Sequence, residues 1–249
     1  MEEFKVDPTI AYDVVELPSR GIHYPTKKKS LRIAYLTASD ENILASPNLV
    51  QSNGVVNELL KRKVLDKDIS TDDLVEEDRQ AILLFLRNTA FGSDYKMLVT
   101  DPKTGERFSH IADLSQVKLR DFKLEEDSNG EFKFYLEKSK TDITFKFLTQ
   151  KQQEDIDKIK DSWNGLGVAP IITRQLEMMI KSVGGIKDQL QIRNFIERMP
   201  IKDSQDFRKY ILENKPSLDL VQHITTPSGE TVEVEIGFGV EFFRPFYGL

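Results

Sequence analysis

The sequence predicts an α+β fold: antiparallel β-hairpins and a small sheet, a central buried helix, and a helical insert near residues 150–215. Three observations predict it. Strand-period patterning lies on both sides of a helical block, strands and helices do not alternate as in a βαβ chain, and Gly- and Pro-rich turn sequences separate the strand-like runs. The chain has 249 residues, enough for one or two domains and for a core that needs no disulfide or metal. The natural division is an N-terminal α+β region over 1–149, with helices within 40–91 and strands within 95–148, and a region over 150–249. The second holds the helical segment, a hairpin and an aromatic tail that packs back on the first.

The elements follow in order. Val14-Val15-Glu16-Leu17 is a short apolar run before the turn sequence Pro18-Ser19-Arg20-Gly21, and Leu31 to Leu36 alternates as a strand. Thr37 or Ser39 caps a helix over about 40–46. Val55, Val56, Leu59, Leu60 and Val64 recur at helical spacing. The strongest helix runs from Val75 to Phe91, with Glu76, Glu77 and Asp78 at its positive end and Gly92 as its stop. It is apolar nearly all round from Ala81 to Leu86, so it belongs at the centre.

Strand patterns cover 95–100 and 106–114 around Asp101-Pro102-Lys103-Thr104-Gly105. They continue over 117–124 and 131–136 around Asp127-Ser128-Asn129-Gly130, where Asn-Gly is a strong hairpin signal. Ile143, Phe145 and Phe147 alternate as a further strand. Helices then cover 150–163, 170 to the Gly184-Gly185 break, 187–198, and a stretch from near Asp203-Ser204 through Leu212. A last hairpin, Leu218–Thr225 and Glu230–Phe238, turns at Thr226-Pro227-Ser228-Gly229.

Composition narrows the function. A net charge of −6 argues against a protein whose main task is coating nucleic acid. No apolar run approaches the ~18–20 residues of a membrane span. The start, Met1-Glu2-Glu3-Phe4-Lys5, lacks signal-peptide features, so the cytosol is the default compartment. Zero Cys excludes thiol nucleophiles, thiolate zinc and iron–sulfur clusters. His23, His110 and His223 share no metal-ligand spacing, and no Gly-rich phosphate loop or Gly-x-Ser-x-Gly elbow occurs. The pairs Asp72-Asp73 and Glu125-Glu126 lie in polar stretches without the apolar site that would raise one pKa. Lys27-Lys28-Lys29 reads as a solvated turn rather than a phosphate contact. The expectation is no enzyme, no cofactor and no metal.

The C-terminal stretch from Phe238 to Leu249 carries five aromatics in twelve residues. Four buried rings would supply about 6–12 kcal/mol before ordering entropy. Either the tail packs onto its own fold, the weightier reading because such a tail left exposed invites aggregation, or it anchors a partner. In the second reading the contact residues are Phe242, Phe243, Arg244, Pro245 and Phe246.

Several short motifs in order resemble one family. Leu17-Pro18-Ser19-Arg20-Gly21 with Tyr24-Pro25 is similar to the Leu-Pro-Ser-Lys-Gly…Tyr-Pro opening of the T-even-type bacteriophage baseplate hub assembly proteins. Leu36-Thr37-Ala38-Ser39-Asp40-Glu41, Asp78-Arg79-Gln80-Ala81-Ile82-Leu83 and Phe91-Gly92-Ser93-Asp94-Tyr95 resemble three later patches. Ser182-Val183-Gly184-Gly185, Met199 to Ser204 and Phe242-Phe243-Arg244-Pro245 follow in register. Many members of the family it resembles carry Cys-x-x-Cys-Gly at two hairpin tips, like zinc knuckles. Here the tips keep Pro102 and Gly105, and Pro227 and Gly229, without any Cys. If the arrangement persists without metal, Pro102 and Pro227 are near neighbours. Pro18, Gly21, Tyr24, Pro25 and the four tip residues are then structural turn positions.

The resemblance implies an assembly factor or minor component of a contractile-tail baseplate hub. It would work by contact with other phage baseplate hub proteins, without nucleic acid or membrane, in the cytoplasm of the infected bacterial host or in the virion baseplate. The alternative is an unrelated cytosolic α+β protein with a regulatory or enzymatic role. Partner, oligomeric state and the choice between transient chaperone and permanent subunit stay open at this level.

Overall fold

In the computed structural model, residues 9–46, 54–120, 122–163, 167–238 and 240–243 are described. β1 (Tyr12–Glu16) pairs antiparallel with β2 (Ser30–Ala34). α1 (Ala38–Leu44) starts at Thr37, whose N–H and hydroxyl both donate to the Asp40 carboxylate. α2 (Val55–Lys63) ends in Lys61, Arg62 and Lys63, cations at the negative helix end. Lys63 reaches back into a buried ion pair with Asp40 and donates to the Tyr35 carbonyl at 3.0 Å. α3 (Glu76–Phe91) opens on three acids and stops at Gly92, φ 79°. Its residues Ala81, Ile82, Leu83, Leu86 and Arg87 are all buried, which makes it the central helix.

β3 (Asp94–Thr100) and β4 (Arg107–Asp113) form the second hairpin, followed by a 3-10 turn, Leu114–Gln116. Among the described residues of 117–124, where Leu119 makes only an isolated bridge to Leu218, the expected strand does not form. The Asn-Gly turn does: the Asp127 carboxylate accepts from the Asn129 and Glu131 N–H groups at 2.8 and 3.0 Å, with Gly130 at φ 68°. It closes only the Asp127–Glu131 pair. β5 (Phe132–Leu136) pairs instead with β6 (Thr141–Phe145), across a different turn. The physical reason is a distant partner. The Arg120 N–H donates to the Ser217 carbonyl and the Asp219 N–H to the Lys118 carbonyl, each at 2.8 Å, so 118–120 is already paired with 217–219.

The 150–215 block also differs from a purely helical insert. α4 (Gln150–Ser162) begins in a Thr149–Gln152 capping box. α5 (Ile171–Met179) stops five residues short of Gly184, and β7 (Ile180–Val183) joins the free side of β6. Ile180 and Ser182 are buried while Lys181 and Val183 are only half-buried, a period of two that helical spacing cannot give. α6 (Gln189–Glu197), α7 (Ile201–Asn214), β8 (Val221–Thr225), β9 (Thr231–Glu235) and a 3-10 turn, Val240–Phe243, complete the described elements. Every sheet pairing is antiparallel, and the fold is α+β.

Two hydrophobic clusters form. One joins β2, α1, α2 and α3 with Leu218, Leu220, Ile236, Phe242 and Phe243 from the end of the chain. The other joins β5, β6 and β7 with α5, α6 and α7 around Phe132, Phe145, Phe147 and Phe207. The excursion that builds the second leaves the first at 118–120 and returns beside it at 217–219. A second seam runs between 72–75 and 149–151, where the Gln150 N–H donates to the Leu74 carbonyl at 2.9 Å.

His23 comes from the first turn region but lies edge-on to Phe132 and Phe147, with ring centroids 5.7 and 5.3 Å apart. Both ring nitrogens are buried without a hydrogen-bond partner. Burial, helped by Lys146 and Lys27, holds its pKa down at about 4. The unfolded imidazole takes a proton below about pH 6.5 and the folded one resists. The stability from keeping it neutral is therefore whole above pH 6.5 and is lost as pH falls towards 4, roughly 3 kcal/mol in all. His23→Phe extends the ring cluster and removes this titration. Thermal melts should show a higher melting temperature at pH 5 and a shallower fall from pH 6.5 to 4; an unchanged pH slope would exclude His23 as the responsible group.

Candidate functional site

The family-like motifs converge on buried polar contacts, beginning with residues 17–25. The stretch is a series of tight turns in which Ser19 and Arg20 hand the chain to Gly21 at φ 70°. A Cβ at Gly21 would stand 1.9 Å from the Lys28 carbonyl oxygen, so no other residue fits. Pro18 and Tyr24 are buried and Pro25 is exposed. The turns aim Ser19 and Tyr24 at Asp78, in the first turn of α3. Asp78 accepts from the Ser19 N–H at 2.9 Å, the Ser19 hydroxyl at 2.5 Å and the Tyr24 hydroxyl at 2.5 Å. Tyr24 oxygen in turn accepts from the Val75 N–H at 3.1 Å.

Asp78 is fully buried. Desolvation raises its pKa to about 6 against the pull of the Ser19 and Tyr24 hydrogen bonds. Burial and the Asp78 charge hold the Tyr24 phenol above its ordinary value. The network is a closed structural joint: its donors and acceptors are satisfied by one another.

Other motif residues behave alike. Asp40 caps α1 and pairs with Lys63. Asp203, 1% exposed, accepts from the Lys138 and Ser139 N–H groups at 2.9 and 2.8 Å and fixes the β5–β6 turn. Gly92 and Asp94 offer their carbonyls to Arg87 at 2.5 and 2.9 Å. The third carbonyl that Arg87 engages is that of Phe242, at 3.0 Å. A fully buried guanidinium thus ties α3 to the C-terminal stretch, and desolvation lowers its pKa.

Phe242 and Phe243 are themselves fully buried, with Phe242 against Tyr95 and Phe238 at 5.4 and 4.7 Å between centroids. Of the proposed contact residues, Arg244, Pro245 and Phe246 lie outside the described residues. Lys27 donates to Glu126 and the Ile22 carbonyl, and Lys28 to Asp66 and Asp68, so two of the three lysines in the run are held within the fold.

The two hairpin tips touch. Gly105 and Gly229 turn them at φ 73° and 86°, beside Pro102 and Pro227. Asp101, 1% exposed, accepts from its own turn, the Lys103 N–H at 2.9 Å, and from the other tip, the Ser228 N–H at 3.1 Å and the Ser228 hydroxyl at 2.9 Å. These bonds hold the Asp101 carboxyl below the usual carboxylate range. A carboxylate clasp joins tips 127 residues apart in the chain. Sequence reasoning identified the turns but not Asp101 or Ser228 as the clasp, nor Asp78 and Arg87 as the joints. Only Arg87, directly after the apolar run Ala81 to Leu86, carried a local signal; Asp78 lies in an acidic helix start, and Asp101 and Ser228 lie in polar turns that mark none of their long-range contacts. Among the described residues, no group of three or more His, Cys, Asp or Glu is arranged to hold a metal ion, and no helix is long and apolar enough to cross a membrane.

What these contacts define is an α+β scaffold whose buried polar side chains hold the frame together. The chain belongs to the T4 bacteriophage base plate protein family, whose model matches residues 18–244, from the Pro18 turn to the aromatic tail. It is a bacteriophage baseplate protein. No curated protein and no solved structure matches it.

Two variants test the joints. The folded Asp78 carboxyl keeps its proton up to about pH 6, whereas the unfolded one releases it near 3.8. Its contribution is therefore most favourable below pH 3.8 and falls as pH rises through 6, by roughly 3 kcal/mol. That slope opposes the His23 slope. In Asp78→Asn the acid-side gain should vanish, leaving a steeper loss of melting temperature below pH 6.5; a profile parallel to the parent would refute the assignment. Asp101→Ala strands the N–H groups of Ser228 and Lys103, at a cost of about 1–3 kcal/mol. Amide exchange at Ser228 and Gly229 should quicken while α3 stays protected; unchanged exchange at the tips would mean the clasp does not hold them.

Proposed function

We propose that the protein is an assembly factor or minor component of the baseplate hub, and that it acts through protein–protein contacts rather than catalysis. The observation that carries this reading is the family match over residues 18–244. Ser19, Tyr24, Asp78, Asp101 and Asp203 are engaged in internal hydrogen bonds, a structural use of buried polar groups that favours a non-catalytic role. Its partners are other baseplate hub proteins, met in the cytoplasm of the infected host, and as a permanent subunit it would stay in the virion baseplate. Neither nucleic acid nor membrane enters this reading.

The aromatic tail has two tasks in it. Phe242 and Phe243 are its buried root, and Arg244, Pro245 and Phe246 make the partner contact. Two truncations separate these tasks. Ending the chain after Val240 removes two buried rings, each worth about 3–5 kcal/mol, and should unfold the protein or lower its melting temperature by many degrees. Ending it after Phe243 should leave a stable protein that no longer supports tail assembly in infected cells. Full support of assembly by the second truncation would refute the contact role of the tail. Detection in purified particles marks a permanent subunit, and detection only in hub complexes from infected cells marks a transient chaperone. Absence from both would overturn the hub reading.

A further inference from the structure

We propose that the outer face of the β3–β4 hairpin is a self-association surface, which stacks head to tail on the same face of a second copy of this chain. The inference goes beyond the hub reading and does not depend on it.

The register defines the face. Asp94 lies opposite Asp113, Lys96 opposite Ile111, Leu98 opposite Ser109 and Thr100 opposite Arg107. These eight side chains share one side of the hairpin, and all eight residues are exposed. The other side carries buried Val99 and Ala112, with Tyr95 and Met97 packed on the first cluster. Leu98 and Ile111, 69% and 61% exposed, are diagonal neighbours and make one apolar patch in the middle of the outer face.

The charges are divided along the strands. At the base, Asp94 and Asp113 form a like-charge cross-strand pair, unfavourable when left to itself. Asp113 accepts hydrogen bonds from Ser115, Gln116 and Ser93, none of them a cation. Asp94 feels the charge of Arg87 from the buried side. Lys96 stands one step in from the acids and Arg107 at the far end, and neither side chain has an ion pair or hydrogen bond to a described residue. Two carboxylates and Lys96 leave the base half at −1, and Arg107 puts the tip half at +1. Beyond the face, Lys103 and Glu106 offset one another in the turn. A face that is neutral in sum selects neither an acidic nor a basic partner. Its order of signs selects an inverted copy of itself.

A two-fold axis across the strands supplies that copy. It sets Asp94 and Asp113 level with Arg107 of the other copy, and Leu98 level with Ile111, twice each. A two-fold axis along the strands would instead stack all four carboxylates at one end. The face is about 24 Å long and two strands wide, roughly 240 Å² in projection and far below the ~800 Å² per partner of a standard interface. The dimer is therefore weak and forms at high local concentration.

The test is sedimentation equilibrium of the full chain from about 10 μM to 1 mM. The parent should pass from monomer to dimer, at lower concentration when salt is low. Leu98→Glu alters an exposed side chain and should weaken the dimer about tenfold or more at an unchanged unfolding midpoint. Arg107→Glu sets acids against acids, and Asp94→Lys with Asp113→Lys sets cations against cations, so each protein alone should stay monomeric. Mixed in equal amounts, the two should associate, because each end then meets the opposite sign. If loss of the Asp113 turn bonds unfolds the double variant, Asp94→Lys alone takes its place in the mixture. A parent that is monomeric at about 1 mM would overturn the proposal and leave the face to a different protein. A dimer indifferent to Leu98→Glu and Arg107→Glu, or a mixture that does not associate, would overturn it equally. The isolated protein is measured, so these failures leave the hub reading standing, and absence from hub complexes leaves self-association untouched.

Discussion

One buried carboxylate holds the frame together. Asp78 sits in the first turn of the central helix, where the helix dipole favours a negative charge. Three donors from the 17–25 turns converge on it, and the Tyr24 hydroxyl passes the constraint to Val75. Val75 is bridged to Thr149, at the start of the second hydrophobic cluster. A single polar joint therefore sets the positions of the first hairpin, the central helix and the excursion. Leaving any of its donors unpaired would cost about 1–3 kcal/mol each, a sizeable fraction of the ~5–15 kcal/mol by which domains stay folded.

The excursion is anchored at both ends and at its middle. Residues 118–120 and 217–219 pair where the chain leaves and returns, and 149–151 meet 72–75. The Arg79 side chain donates to Asn57, and Asn57 to Glu154, carrying the seam from α2 and α3 to α4. His23 crosses the same boundary in the other direction, from the first turn region into the second ring cluster. The C-terminal stretch then returns to the first cluster, with Arg87 gripping the Phe242 carbonyl. The two clusters are thus stitched by directional hydrogen bonds as well as by apolar contact.

This arrangement separates frame from surface. Asp40, Asp78, Asp101 and Asp203 are buried polar residues, and a guanidinium satisfied by three carbonyls costs less to bury than an unpaired one. On the surface, β3–β4 exposes the apolar residues Leu98 and Ile111.

The sequence by itself determined the elements whose causes are local. α3 has its acids at one end and Gly92 at the other, α1 and α4 have their capping boxes, and the two tips have Gly in the left-handed region, all within a few residues of one another. Family resemblance implies that the tips adjoin, whereas the clasp between Asp101 and Ser228 is set by tertiary structure alone. Tertiary structure alone decided the rest. The Asn-Gly turn formed but did not make a hairpin, because 118–120 found a partner a hundred residues away. Ile180 to Val183 left helical spacing because the β6 edge offered backbone bonds that a helix could not. Asp78, Arg87 and Asp101 are polar letters in the sequence, and only long-range folding shows them to be buried. Pattern and turn chemistry act over a few residues; hydrogen bonds and burial couple residues wherever the chain brings them together.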